Sequence, residues 1–158
     1  MLQVKNLFVD LGGFRLTADF EIERGSLISI VGPSGAGKST ILNALAGFIP
    51  LTSGVIKWNG SDITKLDPGL RPLSILFQDY NLFSHLTVKD NIAIGLRPNL
   101  KLDDLETEMV NSVIEEVGLS KFKFIKPFQL SGGQRTRVSL ARSIVRSKPI
   151  LLLDEAFS

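Results

Sequence analysis

One lysine of the chain follows a run of small residues whose spacing suits a phosphate group. Gly32, Gly37, Lys38 and Ser39 fit the pattern of a glycine, four residues, and Gly-Lys-Ser. Glycines let successive backbone N–H groups turn toward phosphate oxygens, and a following helix directs its positive end at the same anion. Lys38 would then reach the β and γ phosphates of a nucleotide, and Ser39 would offer a hydroxyl to Mg²⁺.

The segments on either side of this loop are those that a phosphate site needs. Residues 27–31 are an apolar run broken only by Ser29, which predicts a strand covered on both faces. Residues 40–46 predict a helix, with Gly47 as its C-cap and Pro50 beyond it. This order favours nucleotide binding over a glycine-rich turn with a solvated lysine. The loop alone leaves kinases, GTPases and motor or transport ATPases open.

Further along the chain, two adjacent glycines follow a residue that can cap a helix. Ser131 precedes Gly132 and Gly133, and backbone amides at such a positive helix end form a second anion site. A simple helix N-cap is the alternative. The residues that follow predict a helix with three arginines opposite one apolar face. The arginines are Arg137, Arg142 and Arg146, and the apolar residues are Val138, Leu140, Ala141, Ile144 and Val145.

Residues 130–134, Leu-Ser-Gly-Gly-Gln downstream of the phosphate loop, resemble the signature motif of ATP-binding cassette (ABC) proteins. The resemblance implies a head-to-tail homodimer that binds ATP. In it Ser131 and Gly133 of one subunit close over the γ-phosphate held by Lys38 of the other. The nucleotide-binding positions implied are Gly32, Pro33, Ser34, Gly35, Ala36, Gly37, Lys38, Ser39, Thr40, Ser131, Gly133 and Gln134.

Two carboxylates and a glutamine complete the catalytic set that the resemblance implies. Residues 150–153 predict a strand buried on both faces that ends in Asp154 and Glu155, as a Walker B strand does. Asp154 would hold Mg²⁺ with Ser39 and Gln78, and Glu155 would polarise the attacking water. Gln78 follows a predicted strand and matches the Q-loop glutamine. The alternatives are a cap or surface turn for the carboxylates and a solvated loop residue for Gln78.

The segment after Gln78 resembles the surface that receives a transmembrane permease subunit. Within residues 81–88, Leu82 and Phe83 are either the contacts or local core residues. His85 is the only histidine and precedes the signature motif, whereas the switch histidine of the family lies beyond the Walker B strand. It is therefore expected on the docking surface or as a structural histidine.

The remaining patterns predict an α/β fold with one domain. Strands are expected at 16–22, at 55–58 before an Asn59-Gly60 turn, and at 73–77. Apolar residues at helical spacing from Leu105 to Val117 predict a helix. The resemblance implies a P-loop NTPase core, a mixed sheet with flanking helices, at 1–78 and 147–158. A helical subdomain at about 79–146 would carry the signature motif.

Composition limits the partners and the location. Eighteen basic and 16 acidic residues give a net charge of +2, so charge does not suggest a nucleic-acid partner. Without cysteine the chain has no disulfide or thiolate metal site. Its apolar runs fall short of the roughly 20 residues of a spanning helix, so membrane association is expected through a partner. The resemblance implies the cytoplasmic face of a bacterial inner membrane.

The match to the family is incomplete in two respects. The family pattern continues past Ser158 with a D-loop, a further strand and the switch histidine, so we expect a C-terminally truncated domain that alone hydrolyses little ATP. Ala156 also replaces a usual proline, and Leu11 stands where many relatives place the aromatic ring that stacks on adenine. Phe14 and Phe8 are the candidate replacements.

The resemblance as a whole predicts an ATPase subunit of an ABC importer. Residues 81–102 most resemble the ATPase subunits of bacterial thiamine importers, in which a substrate-binding protein delivers the substrate to the permease. One alternative is a soluble cassette ATPase of DNA repair or translation, although residues 41–129 lack the long insertions of those proteins. The other alternative is a fragment that binds nucleotide without turnover.

Overall fold

The computed structural model describes residues 1–77 and 81–154, which form two compact units. The first unit, Met1–Pro72, contains β1 (Leu2–Asp10), β2 (Arg15–Ile22), α1 (Lys38–Ala46), β3 (Ser53–Trp58) and β4 (Ser61–Asp62). The second, Leu73–Ser158, contains β5 (Leu73–Leu76), α2 (Val88–Ala93), α3 (Asp104–Glu116), α4 (Gly132–Val145) and β6 (Ile150–Leu153). Short 3₁₀ turns at Ser120–Phe122 and Pro127–Gln129 lead into α4. The predicted α/β class is confirmed.

The first unit is built on an antiparallel sheet with the strand order β2-β1-β3-β4. The predicted strand at 16–22 is confirmed as β2, and the predicted Asn59-Gly60 turn joins β3 to β4. Both turn residues have positive φ, 46° and 83°, as a two-residue hairpin loop requires. The central strand, β1, buries Leu2, Val4, Leu7 and Val9.

Sequence patterning missed β1 because a bulge interrupts its alternation. The buried positions shift by one residue between Val4 and Leu7, and Asn6 has φ 49°. The register with both neighbouring strands shifts at the same place. A bulge adds one residue to one strand, so a period of two fits each half of β1 but not the whole.

The bulge also brings the backbone of β1 onto Gly54 of β3. A Cβ on Gly54 would overlap the backbone oxygen of Asn6 and lie 2.6 Å from Cα of Leu7. Gly60 also has positive φ, yet no heavy atom lies within 4 Å of its Cβ position. An alanine at Gly60 would therefore add backbone strain alone, whereas an alanine at Gly54 would add both strain and steric overlap.

We expect Gly54→Ala to destabilise the protein by about 3 kcal/mol or more, because overlap adds to the strain of a positive φ. Gly60→Ala, the matched control, should cost about 1 kcal/mol from strain alone. Urea unfolding followed by circular dichroism measures both free energies. Equal losses in the two variants would contradict the close approach of β1 to Gly54.

The predicted buried strand at 27–31 is wrong in this structure. Residues 27–31 form no strand, and Leu27 and Val31 are 93% and 91% exposed. An apolar run becomes a buried strand only where neighbouring strands and helices cover it. Among the described residues, the two sheets contain only β1 to β4 and β5 with β6, and neither pairs with this run.

The second unit places three helices, in chain order, between two parallel strands. β5 and β6 pair from Leu73 with Ile150 to Leu76 with Leu153. The expected helical insert between two strands is present in this order, and its limits at 79 and 146 stay a prediction. The helices enclose one apolar cluster: Val88, Ile92, Ala93, Val110, Ile114, Leu119, Leu130, Val138, Ala141 and Val145.

The expectation that residues 150–153 are buried on both faces is also wrong. Only Leu152 is buried, whereas Leu151 and Leu153 are 43% and 40% exposed. The strand itself is confirmed as β6, but within residues 1–77 and 81–154 it pairs with β5 alone. Among the described residues, one edge of β6 therefore has no neighbouring strand, and two of its side chains are partly exposed.

The helix predicted from Leu105 to Val117 is confirmed as α3, although Leu105 and Met109 of its apolar pattern are 72% and 43% exposed. Asp103 accepts a hydrogen bond from the Glu106 N–H, and the Glu106 side chain accepts one from the Asp103 N–H, so a capping box begins the helix. Gly118, with φ 70°, follows its C-terminus. No helix within the described ranges is long and apolar enough to cross a membrane.

Candidate nucleotide-binding site

The phosphate loop lies at the N-terminus of α1, as its sequence predicts. The helix begins at Lys38, two residues before the predicted start at Thr40, and Gly35 and Gly37 have φ of 80° and 93°. Gly37 is the N-cap residue and has no side chain to accept from the first N–H groups of the helix. Residues 32–36 are exposed. An anion can therefore approach a helix terminus that no capping side chain covers.

Lys38 folds back over this loop. Its Nζ donates to the backbone oxygens of Gly32 at 2.9 Å and Pro33 at 3.0 Å. The Ala36 N–H also donates to the Pro33 oxygen, at 3.2 Å, which closes the turn. The ammonium group is thus held beside the exposed loop by neutral acceptors, which a charged phosphate oxygen would replace as the stronger partner.

Of the two candidate aromatic rings, Phe14 lies at the loop. A Cβ on Gly37 would be 2.7 Å from Cζ of Phe14 and 3.3 Å from Cδ1 of Leu16. Phe8 lies within β1 and pairs with Thr17 and Ser53. Gly37 therefore provides both the positive φ at the start of α1 and the room for the Phe14 ring.

A buried arginine anchors the other end of α1, and sequence analysis did not find it. Arg71 is 3% exposed, and its guanidinium donates to Ala44 O at 3.0 Å and Leu45 O at 2.6 Å. It also donates to Thr64 O at 2.7 Å and Leu66 O at 3.0 Å. Burial lowers the pKa of Arg71. These bonds satisfy the last carbonyls of α1 and tie them to the chain that follows β4.

The signature segment begins α4 with a capping box. The Ser131 hydroxyl accepts from the Gln134 N–H at 3.3 Å, and Oε1 of Gln134 accepts from the Ser131 N–H at 2.8 Å. The predicted cap is confirmed. Around Gly133 no heavy atom lies within 4 Å of the Cβ position, so this turn is open. The contact of Ser131, Gly133 and Gln134 with nucleotide stays a prediction.

The sequence predicts Arg142 on the side of α4 opposite its apolar face, and the burial of this residue differs from that prediction. It is half-buried, and its Nη1 donates to Asn81 O at 2.9 Å, while Ile144 is 37% exposed. Burial, and then the charge of Arg146, lower the pKa of Arg142. The long apolar stem of an arginine can be covered by protein while its guanidinium reaches a polar partner.

The predicted Mg²⁺ ligand Asp154 follows β6 directly. Its N–H donates to Leu76 O at 3.0 Å and so extends the pairing of β5 with β6 by one step. Parallel strands end at the same edge of a sheet, and Asp154 lies at the carboxyl edge of this pair. The predicted catalytic residues Gln78 and Glu155 lie outside the described residues.

The predicted site residues are distributed over both units. The phosphate loop and Lys38 belong to the first unit, whereas Ser131, Gly133, Gln134 and Asp154 belong to the second. In the described part of the chain, no group of three or more His, Cys, Asp or Glu side chains is placed to hold a metal ion.

The segment predicted to dock a permease divides between core and surface. Leu82 is half-buried and packs against the apolar cluster of the second unit. Phe83 is 47% exposed. The His85 ring meets the Phe83 ring edge-on, with 6.0 Å between centroids. The core interpretation is therefore confirmed for Leu82, whereas the contact of Phe83 with a permease stays a prediction.

Comparison with known proteins identifies relatives along the whole chain. The family model described as ABC transporter matches residues 16–158. A thiamine import ATP-binding protein of Histophilus somni is 52% identical over 158 residues, which are all of this chain and 73% of the relative. The protein of the same name from Escherichia coli O157:H7 is 52% identical over 87% of this chain and 59% of its own length.

Solved structures agree with this assignment. A nucleotide-free ATP-binding cassette from an ABC transporter superposes with a TM-score of 0.86, at 24% identity, over 99% of this chain and 69% of its own. The cassette MJ0796, a dimer in a post-hydrolysis state with ADP and Pi, gives a TM-score of 0.83 at 29% identity, over 99% and 75%. The phosphate loop on α1, the capped signature turn on α4 and these matches show that the chain belongs to the ABC transporter family of ATPases.

Proposed function

We propose that this chain is the ATPase subunit of a bacterial thiamine importer. The observation that carries the proposal is the 52% identity, over the full length of the chain, to a relative named as a thiamine import ATP-binding protein. In this role it binds peripherally to the cytoplasmic face of the inner membrane through permease subunits. A substrate-binding protein delivers thiamine to the permease.

ATP binds at the phosphate loop of the first unit. Its phosphates accept hydrogen bonds from the exposed loop and the N-terminus of α1, and Lys38 exchanges the carbonyls of Gly32 and Pro33 for phosphate oxygens. The Phe14 ring, which lies beside Gly37, stacks on the adenine. These contacts support phosphate recognition by the loop and base recognition by the neighbouring Phe14 ring.

The residues proposed to hold Mg²⁺ suit that ion chemically. The hydroxyl of Ser39, the carboxylate of Asp154 and the amide oxygen of Gln78 are all hard oxygen ligands. Mg²⁺ accepts a few such ligands together with phosphate oxygens and water, so a set without a cluster of carboxylates is sufficient. The ion, when bound, neutralises charge that develops on the phosphates.

Hydrolysis requires a second copy of the chain. Glu155 polarises the attacking water, and Ser131 and Gly133 of the opposing copy donate hydrogen bonds to the γ-phosphate. The open, capped turn at the start of α4 supports this role, because its backbone can approach an anion without hindrance from a Cβ. The dimeric cassette with ADP and Pi is a neighbour consistent with this arrangement.

Transport by cells tests the assigned substrate. In a strain from which the gene is deleted, uptake of labelled thiamine should fall to background, while uptake of other vitamins and of sugars is kept. Wild-type protein should restore it, and Lys38→Ala should not. Loss of uptake of a different substrate, with thiamine uptake unchanged, would overturn the assignment to thiamine and leave the ATPase assignment intact.

A further inference from the structure

A polar side chain is buried on α2, the helix that contributes Val88 and Ile92 to the apolar cluster of the second unit. Asn91 in α2 is 0% exposed, and so are Val88 and Ile92 of the same helix. Burying a primary amide costs free energy unless its hydrogen bonds are made within the protein. The buried amide of Asn91 must therefore form hydrogen bonds within the protein.

Within the described part of the chain, the amide of Asn91 bonds to backbone groups of one short loop, residues 83–87. Its Oδ1 accepts from the Phe83 N–H at 2.8 Å, and its Nδ2 donates to Phe83 O at 3.0 Å. Nδ2 also contacts Leu86 O at 3.2 Å and Thr87 O at 2.9 Å. The side chain thus binds Phe83 as a neighbouring strand would, through both backbone groups, and holds the end of the loop as well.

The loop held in this way presents an aromatic ring outward. Phe83 is 47% exposed, the His85 ring meets it edge-on, and the Arg142 guanidinium lies 6.0 Å from its centroid. Arg142 is itself held by its bond to Asn81 O. Stability alone would favour the opposite arrangement, with the phenylalanine inside and the asparagine in water.

We propose that Asn91 is the positioning residue of the permease-docking surface, which we define as Phe83 and His85. The proposal rests on the proposed function. Asn91 does not touch the partner, but it fixes the loop before docking, so that association does not have to order it. Without the amide, the Phe83 N–H and the loop carbonyls lose their buried partner and the loop moves toward water, which displaces the Phe83 ring.

The test separates docking from catalysis in the ATPase subunit. Hydrolysis is measured for the subunit alone and during titration with purified permease in nanodiscs. For Asn91→Ala we expect kcat and KM for ATP to be unchanged without permease. The permease concentration that gives half-maximal stimulation should rise by at least about tenfold, as for loss of a central interface group. Phe83→Ala, which removes the proposed contact itself, should show the same increase.

Two further variants control for stability. Ile92→Val trims a neighbouring buried side chain of α2 without touching the loop and should leave both readouts as in the wild type. Asn91→Ser can keep one bond to Thr87 O, four residues earlier, and lose those to Phe83. It replaces Asn91→Ala if that variant fails to fold, and it should show the same displaced half-saturation.

The outcomes distinguish failure of the positioning role of Asn91 from failure of the proposed function. If permease stimulates the wild type, and folded Asn91 variants respond at the same permease concentration, the positioning role is wrong. An equal shift in Ile92→Val would also overturn it, because general destabilisation would then account for the effect. If permease fails to stimulate even the wild-type subunit, the proposed function fails first.

Discussion

Lys38→Ala is expected to weaken ATP binding by about a hundredfold or more, because it removes a cation placed over the phosphate loop. In the structure the ammonium bonds only to the loop carbonyls of Gly32 and Pro33 among the contacts described for it. The fold should therefore keep its stability when the side chain is removed. Affinity can be measured by titration with a fluorescent ATP analogue.

Lys65→Ala is the matched control for this experiment. Lys65 is an exposed lysine of the same unit, and its replacement removes the same charge at a distance in sequence from the phosphate loop. We expect its affinity for ATP to stay within about twofold of the wild type, because exposed charges act weakly through solvent. Wild-type affinity in a folded Lys38→Ala variant would refute the phosphate-loop assignment.

Glu155→Gln is expected to lower kcat for ATP hydrolysis by about 10²- to 10⁴-fold and to leave ATP binding nearly unchanged. Glutamine has the shape of glutamate and can still orient a water molecule, but it cannot accept the proton that the water loses. Glu116→Gln, at the exposed C-terminal end of α3, makes the same chemical change away from the site. Phosphate release by the assembled importer measures both variants.

Whether Glu155→Gln changes kcat or the affinity for ATP is as informative as the size of the change. A general base acts in the transition state, so its removal lowers kcat without a compensating loss of nucleotide affinity. If Glu155→Gln hydrolyses ATP at the wild-type rate, another group activates the water. If it loses ATP binding instead, the carboxylate acts on the ground state and the Walker B assignment needs revision.

Local chemistry explains which elements could be predicted from the sequence. The phosphate loop, the Asn59-Gly60 turn and the Ser131 cap each depend on the conformational or hydrogen-bonding properties of residues within a few positions of one another. Helix α3 was equally accessible, because its apolar residues repeat over several turns. Such features depend little on distant parts of the chain.

Features that depend on distant partners were missed or wrong. The bulge at Asn6 brings the backbone of β1 against Gly54, 48 positions later, and no local signal marks this approach. Composition rules place Arg71 and Asn91 at the surface. Carbonyl groups of α1 compensate the burial of Arg71, and the loop before α2 compensates that of Asn91. The prediction for residues 27–31 was wrong in the opposite sense. Their apolar side chains predict a buried strand, but none of the described strands pairs with this segment.

Thiamine-dependent ATP hydrolysis tests the central claim most directly. The ATPase subunit is assembled with its permease in proteoliposomes, and phosphate release is measured with and without thiamine bound to the substrate-binding protein. We predict that thiamine raises the rate several-fold or more, that an unrelated vitamin does not, and that Lys38→Ala abolishes the response. Hydrolysis that is equal with thiamine, with the unrelated vitamin and with neither would contradict the account.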